Sequence, residues 1–247
     1  MKLTLNPVEI LRHMAPIHAI GLVPFLLLAC SGSSDSWLEK GRQALSEGKP
    51  KEAIESLNRA IEKDDQNARA LNARGVAYFE LKDFTNALLD FQQAMRVKPD
   101  WYQPYFNRAR LKVEQTDWEG ALKDFSEAVS RQPDSAEVYT NRGTVLYNLN
   151  RLPEAMHDFD KAIQLKPTEA TARFNRGNVL FRQRNYPAAI ADFEAAIRAD
   201  VKFGKAFHAL GLARISGGSR EEGCLSLKQA ARLGYSEAQG SVETYCQ

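Results

Sequence analysis

The chain has 247 residues, 44% hydrophobic and 26% charged, the balance of an ordinary globular protein. Its 33 Lys and Arg against 31 Asp and Glu leave a net charge of +2, which gives no case for a concentrated basic face and so none for nucleic acid. The three cysteines, Cys30, Cys224 and Cys246, are too few and too scattered for a zinc site.

Residues 1–29 differ in character from the remainder of the chain. Lys2 and Arg12 precede an apolar run, Ile17 to Ala29, that is interrupted by Pro24 and ends at Cys30. The run is too short to span a bilayer comfortably as a helix. Its charged, apolar and small-residue order is that of a secretory signal. The ending Leu27-Leu28-Ala29-Cys30 resembles the bacterial lipobox, in which the cysteine is lipidated and becomes the first mature residue. An ordinary signal peptide or an uncleaved anchor helix shares the same order, and Pro24 and the long leading region depart from the lipobox pattern. The resemblance implies acyl chains on Cys30, and several chains on one residue anchor stably where a single chain binds marginally. Residues 30–36 then form a lipidated cysteine and a short polar tether. Ser31 is not the Asp that marks inner-membrane retention in many Gram-negative bacteria, so the expected location is the bacterial envelope, at the outer membrane.

From residue 34 to 237 the chain repeats at a period of 34. One column reads Gly41, Gly75, Ala109, Gly143, Gly177, Gly211; a second Ala53, Ala87, Ala121, Ala155, Ala189, Gly223. A third reads Leu57, Phe91, Phe125, Phe159, Phe193, Leu227; a fourth Ala60, Ala94, Ala128, Ala162, Ala196, Ala230. Pro99, Pro133 and Pro167 close the second to fourth units. A fixed period of this size marks an array, and these columns resemble the tetratricopeptide repeat. The resemblance implies an all-α, α-α superhelix of helix pairs A and B in six units: 34–67, 68–101, 102–135, 136–169, 170–203 and 204–237. Small residues let the helices of a pair approach closely, and the aromatic column fills the space between them. Asp83, Asp117 and Asn185 stand where helix B needs a cap, and Pro153 and Pro187 lie in its first turn. The last unit is degenerate, with Gly217-Gly218 between its helices and Gly223 in place of Ala; residues 236–247 read as a capping helix over the apolar end of the stack.

Cys224 and Cys246 are centred on residue 235, within the Gly234-Tyr235 turn between the last helix B and the cap. Positions equidistant from the turn of an antiparallel hairpin face each other, and an exported protein meets an oxidising compartment, so a disulfide is predicted. The alternative is two small buried hydrophobes.

No catalytic constellation is found. His157 and His208 lie in no ligand-spaced cluster, and there is no phosphate loop, GxSxG or HExxH. Asp90, Asp124, Asp158 and Asp192 recur ahead of each Phe, but one unit apart, as solvated or salt-bridged positions on helix B. Arg74, Arg108, Arg142 and Arg176 occupy a usually apolar position, where stems should pack and heads reach outward. No cofactor, metal or small-molecule substrate is implied.

Binding remains. In the resembled family the A helices line a concave groove through positions 2, 5, 6, 9, 12 and 13 of each unit. Position 6 is Asn107, Asn141 and Asn175; Arg69, Asn72, Arg110, Asn178 and Arg182 lie nearby, with Phe106, Phe174, Phe181 and Tyr147 between them. A carboxamide offers one acceptor and two donors, matching a peptide bond, so the ladder could hold an extended peptide. Equally, these asparagines could fill the groove or bond to the adjacent unit. No unit pairs a Lys at position 5 with an Asn at position 9, so a clamp for an acidic chain terminus is not supported. The expectation is a membrane-anchored scaffold for a protein or extended peptide. Assembly lipoproteins of the pilotin or outer-membrane-assembly type, and adaptors for cell-wall hydrolases or envelope signalling, are the alternatives.

Overall fold

A computed structural model describes residues 32–247. The expectations for the signal segment, for lipidation at Cys30 and for Ser31 fall outside the described residues. The described chain forms thirteen α-helices. The A helices are α1 (Ser34–Ser46), α3 (Ala68–Glu80), α5 (Tyr102–Glu114), α7 (Ala136–Asn148), α9 (Ala170–Arg182) and α11 (Gly204–Ser216). The B helices are α2 (Pro50–Lys63), α4 (Phe84–Val97), α6 (Trp118–Arg131), α8 (Leu152–Leu165), α10 (Tyr186–Ala199) and α12 (Arg220–Arg232). Helix α13 (Ser236–Tyr245) comes after α12. Every A helix and every B helix starts 34 residues after its predecessor, so no insertion disturbs the register.

The A–B turn is the same six times. Gly48, Lys82, Thr116, Asn150, Arg184 and Gly218 all have φ between 59° and 95°, in the left-handed region. In the second unit, Asp83 N–H donates to Tyr78 C=O at 2.9 Å and Lys82 N–H to Phe79 C=O at 2.9 Å, the paired bonds of a Schellman turn. That turn delivers the next residue as the N-cap of helix B. Asp83, Asp117 and Asn185 each accept from the backbone N–H three residues on, whereas Lys49, Arg151 and Ser219 make no such side-chain bond. Helix B stops just before Pro99, Pro133 and Pro167.

The small and aromatic columns meet inside each pair. A Cβ added at Gly75, Gly143 or Gly177 would lie 2.6–2.7 Å from the ring of Phe91, Phe159 or Phe193, and one at Gly41 2.5 Å from Leu57. The four phenylalanines are 0–1% exposed. In the third unit Ala109 takes this place, and Phe125 is met by Phe106 with ring centroids 5.6 Å apart. The sixth unit is packed more tightly rather than loosened. Gly223 lies so close to α11 that a Cβ there would sit 2.7 Å from the Gly211 carbonyl oxygen.

Helix α13 buries only Ala238 fully, so it covers the end of the stack lightly. Its far end is tied to α12 by a Cys224–Cys246 disulfide with Cα atoms 5.5 Å apart. Arg220 adds hydrogen bonds to the carbonyls of Tyr245 (2.8 Å) and Gln247 (3.2 Å).

Candidate functional site

The two charged columns form one feature. Arg74, Arg108, Arg142 and Arg176 each lay Nε and Nη2 across both carboxylate oxygens of Asp90, Asp124, Asp158 and Asp192, at 2.6–2.8 Å. The expectation that the arginine heads reach outward is therefore corrected: they turn inward onto helix B of their own unit. The stem that packs between the helices leaves the guanidinium level with the aspartate sixteen residues on, and the bidentate geometry holds it there. The aspartate side chains are only 1–7% exposed. Their hydrogen bonds, more than burial opposes, hold Arg74, Arg142 and Arg176 above the ordinary guanidinium range. These rungs are structural, since a carboxylate already saturated by a guanidinium has no capacity for acid–base work.

The A helices present a concave face on which the expected binding residues separate into three groups. In the first, Asn107 Nδ2 donates to Asn72 Oδ1 at 3.0 Å, linking α5 to α3, and Asn175 Nδ2 donates to Thr144 Oγ1 at 3.0 Å, linking α9 to α7. Asn141 instead turns back to the Glu137 carbonyl of its own helix at 2.9 Å. Two of the three ladder asparagines thus bond adjacent units together, and the third bonds within its own helix. In the second group, Arg110 lies over the rings of Phe79 (5.5 Å) and Phe106 (6.0 Å); Arg182 lies over Tyr147 (4.9 Å) and donates to Asn150 at 2.8 Å. Stacked guanidiniums keep part of their donor set for a ligand. Phe106 and Phe174 are 6% and 8% exposed and pack into the core, Phe106 against Phe125 and Phe174 against Phe193 and Phe203, while Phe174 also lines a cavity beside Asn178.

The third group lines cavities. Arg69 and Asn72 open onto a cavity of about 570 Å3 at the N-terminal end, walled by Leu45, Val76 and Trp101. Gln103 also lines it, and its Oε1 is buried with no hydrogen-bond partner among the described residues. Asn178 borders two smaller cavities, about 160 Å3 with Thr144 and Tyr147, and about 220 Å3 with Phe181, Leu212 and Tyr235. Lys205 and His208 complete the last. Burial pushes the His208 imidazole pKa down against the pull of Glu237, and its Nε2 is 2.8 Å from Ser241 Oγ on α13. Arg42, which also lines the N-terminal cavity, Gln103, Lys205 and His208 occupy positions 9, 2, 2 and 5, so the groove register marks them although they share no residue type with the asparagine column. No group of three or more potential metal ligands occurs among the described residues.

A stack of helix pairs with cavities on the face of its A helices defines a scaffold class whose extended surfaces serve binding. The tetratricopeptide repeat profile matches residues 38–104, 106–170 and 157–202, and the chain belongs to that family. A curated relative, the DnaJ homolog subfamily C member 3 homolog of Dictyostelium discoideum, is 41% identical over 68 residues; the match spans 28% of this chain and 14% of the relative. Among solved structures, the chain resembles YrrB, described as a TPR protein with an unusual peptide-binding site (TM-score 0.62, 20% identity, 77% of this chain and 99% of that one). It also resembles pilF of Pseudomonas aeruginosa (TM-score 0.75, 20% identity, 84% and 97%). A third likeness is to the Cut9–Hcn1 hetero-tetramer of the APC/C (TM-score 0.77, 16% identity, 87% and 43%). At these identities the likeness is one of fold.

Proposed function

We propose that the protein is a non-catalytic scaffold, carried on the bacterial envelope by a lipid at Cys30, that holds an extended segment of another protein along the concave face of its A helices. The carrying observation is the row of cavities on that face, each combining apolar walls with a few polar groups, Arg69 and Asn72 at one end and Asn178 and Lys205 at the other. Convergent polar groups over apolar walls are what orient a peptide. Asn178 carries the sharpest test, because it borders two cavities and its side chain makes no hydrogen bond among the described residues.

Partners are identified by cross-linking in native membranes followed by mass spectrometry, and affinity is then measured with the captured segment. Asn178→Ala is expected to weaken that affinity about fivefold, the value of one neutral hydrogen bond near 1 kcal/mol, with the thermal midpoint unchanged. Unaltered affinity would remove Asn178 from the site. Cys30→Ser is expected to move the protein from the membrane to the soluble fraction, and retention would defeat the lipid anchor. The likeness to pilF, at 20% identity, is matched in TM-score by the Cut9–Hcn1 hetero-tetramer, so it does not favour a pilotin-type role over other envelope tasks.

A further inference from the structure

The arginine rungs do more than join the helices of a pair. In the second unit, Arg74 uses its remaining nitrogen, Nη1, to reach Asn58 Oδ1 of the preceding B helix at 2.7 Å. In the fifth unit, Arg176 Nη1 reaches Asp160 Oδ1, also at 2.7 Å. In the sixth, where Leu210 takes the rung position, Arg214 one turn further on reaches Glu194 Oε1 of α10 at 2.8 Å. The acceptors Asn58, Asp160 and Glu194 share one column with Gln92 and Ser126, neither of which accepts from an arginine among the described residues. At the α6–α8 junction that column holds Ser126, whose side chain is too short to close the gap. Arg142 donates through Nε and Nη2 to Asp158, and Nη1 has no partner among the described residues. A cavity of about 370 Å3 lies there, bordered by Ser126, Arg142, Leu122, Leu146 and Arg151.

We propose that this socket binds the carboxylate of a glutamate-like side chain presented by a partner protein, on the helix-B side of the array and independently of the groove. The chain itself displays the occupied form: Asp160 fills the equivalent socket of Arg176 while Arg176 still holds Asp192. One guanidinium therefore accepts two carboxylates in this framework. Asp158 does not compete for the ligand, because both its oxygens are engaged by Arg142. The Ser126 hydroxyl supplies a second donor, and Arg151 stands at the rim with Nε and Nη2 held by Glu154 at 2.6–2.7 Å. Leu122 and Leu146 offer an apolar wall to the methylenes of a glutamate stem. A doubly charged phosphate fits less well, since Asp158 and Glu154 border the same space.

The test monitors the arginine Nε–Hε resonances of the full-length chain in detergent while the blocked amino acid N-acetyl-glutamate N-methylamide is added. Arg142 is expected to shift saturably and Arg176, whose socket is filled, to stay still. Ser126→Asp should close the socket from within and weaken the Arg142 response roughly tenfold. Asp160→Ser should open the fifth unit's socket and make Arg176 responsive. No shift at Arg142, an equal response to the blocked glutamine, or a response unchanged in Ser126→Asp would each overturn the proposal. Both substituted positions are exposed, so the variants retain the packing of the array.

Discussion

Asp158 accepts two hydrogen bonds from Arg142 while its own side chain is 2% exposed, so deleting it strands a guanidinium between two helices. Breaking one partner of a buried pair costs about 3–5 kcal/mol, whereas replacing both by apolar residues of similar volume is often neutral. Asp158→Ala is expected to lose that much in chemical denaturation, and Arg142→Met with Asp158→Leu to recover most of it. A single-mutant loss below about 1 kcal/mol would demote the rung to a surface pair. Because the arginine pKa values are raised, this stabilisation is complete below the ordinary guanidinium value and fades only at strongly alkaline pH. His208 behaves in the opposite sense. Its folded pKa lies below the ordinary 6.5, so its contribution is present above that value and is lost as pH falls through the folded one. The thermal midpoint should therefore drop between pH 7.5 and 5.5, and His208→Gln should flatten the drop. The rungs were hidden in the sequence because sixteen residues is no helical neighbour spacing. A signal was nevertheless present. The Arg and Asp columns begin and end in the same units, giving way together to Lys40 and Ser56 at one end and to Leu210 and Ser226 at the other.

For the helices, the caps, proline stops and small–aromatic columns were legible because each is a local rule or a fixed period. The left-handed turn column was not, since Lys82, Thr116 and Arg184 are unlike the residues that usually mark it. Tertiary packing of A on B imposes the turn and overrides the local preference. A β-branched residue in this region is strained by roughly 1–2 kcal/mol, so Thr116→Gly should raise stability by about 1 kcal/mol after the glycine entropy cost. The close approaches grade in a similar way. At Gly143 the obstacle is the Phe159 side chain alone; at Gly223 it is the Ile215 side chain together with the Gly211 backbone carbonyl, which cannot give. Overpacking costs about 1–3 kcal/mol, and Gly223→Ala is expected near the top of that range with Gly143→Ala near the bottom, both read from denaturation midpoints.

For the whole molecule, the fold and the facing positions of the groove came from the period, whereas the contents of the groove depended on what adjacent units place beside each position. Asn107 could not be seen as a tie between helices without Asn72 beside it, nor Phe106 as core without Phe125 beneath it. The end of the array rests on the cross-link between α12 and α13, which closes a loop of 22 residues. Chain-entropy arguments assign such a loop about 3 kcal/mol. Reduction is expected to lower the thermal midpoint and release α13, seen as faster amide exchange at Ala238, with the middle units unaffected. Uniform protection before and after reduction would show that the helix docks without it.

The strict 34-residue spacing makes the units interchangeable parts. Excising residues 102–135 joins Trp101 to Ala136 without moving any turn, cap or rung out of phase. The shortened chain is a complete five-unit object, in which Arg142 faces Gln92 rather than Ser126. Recombination between units could therefore lengthen or shorten the reach of the inner face in a single genetic step.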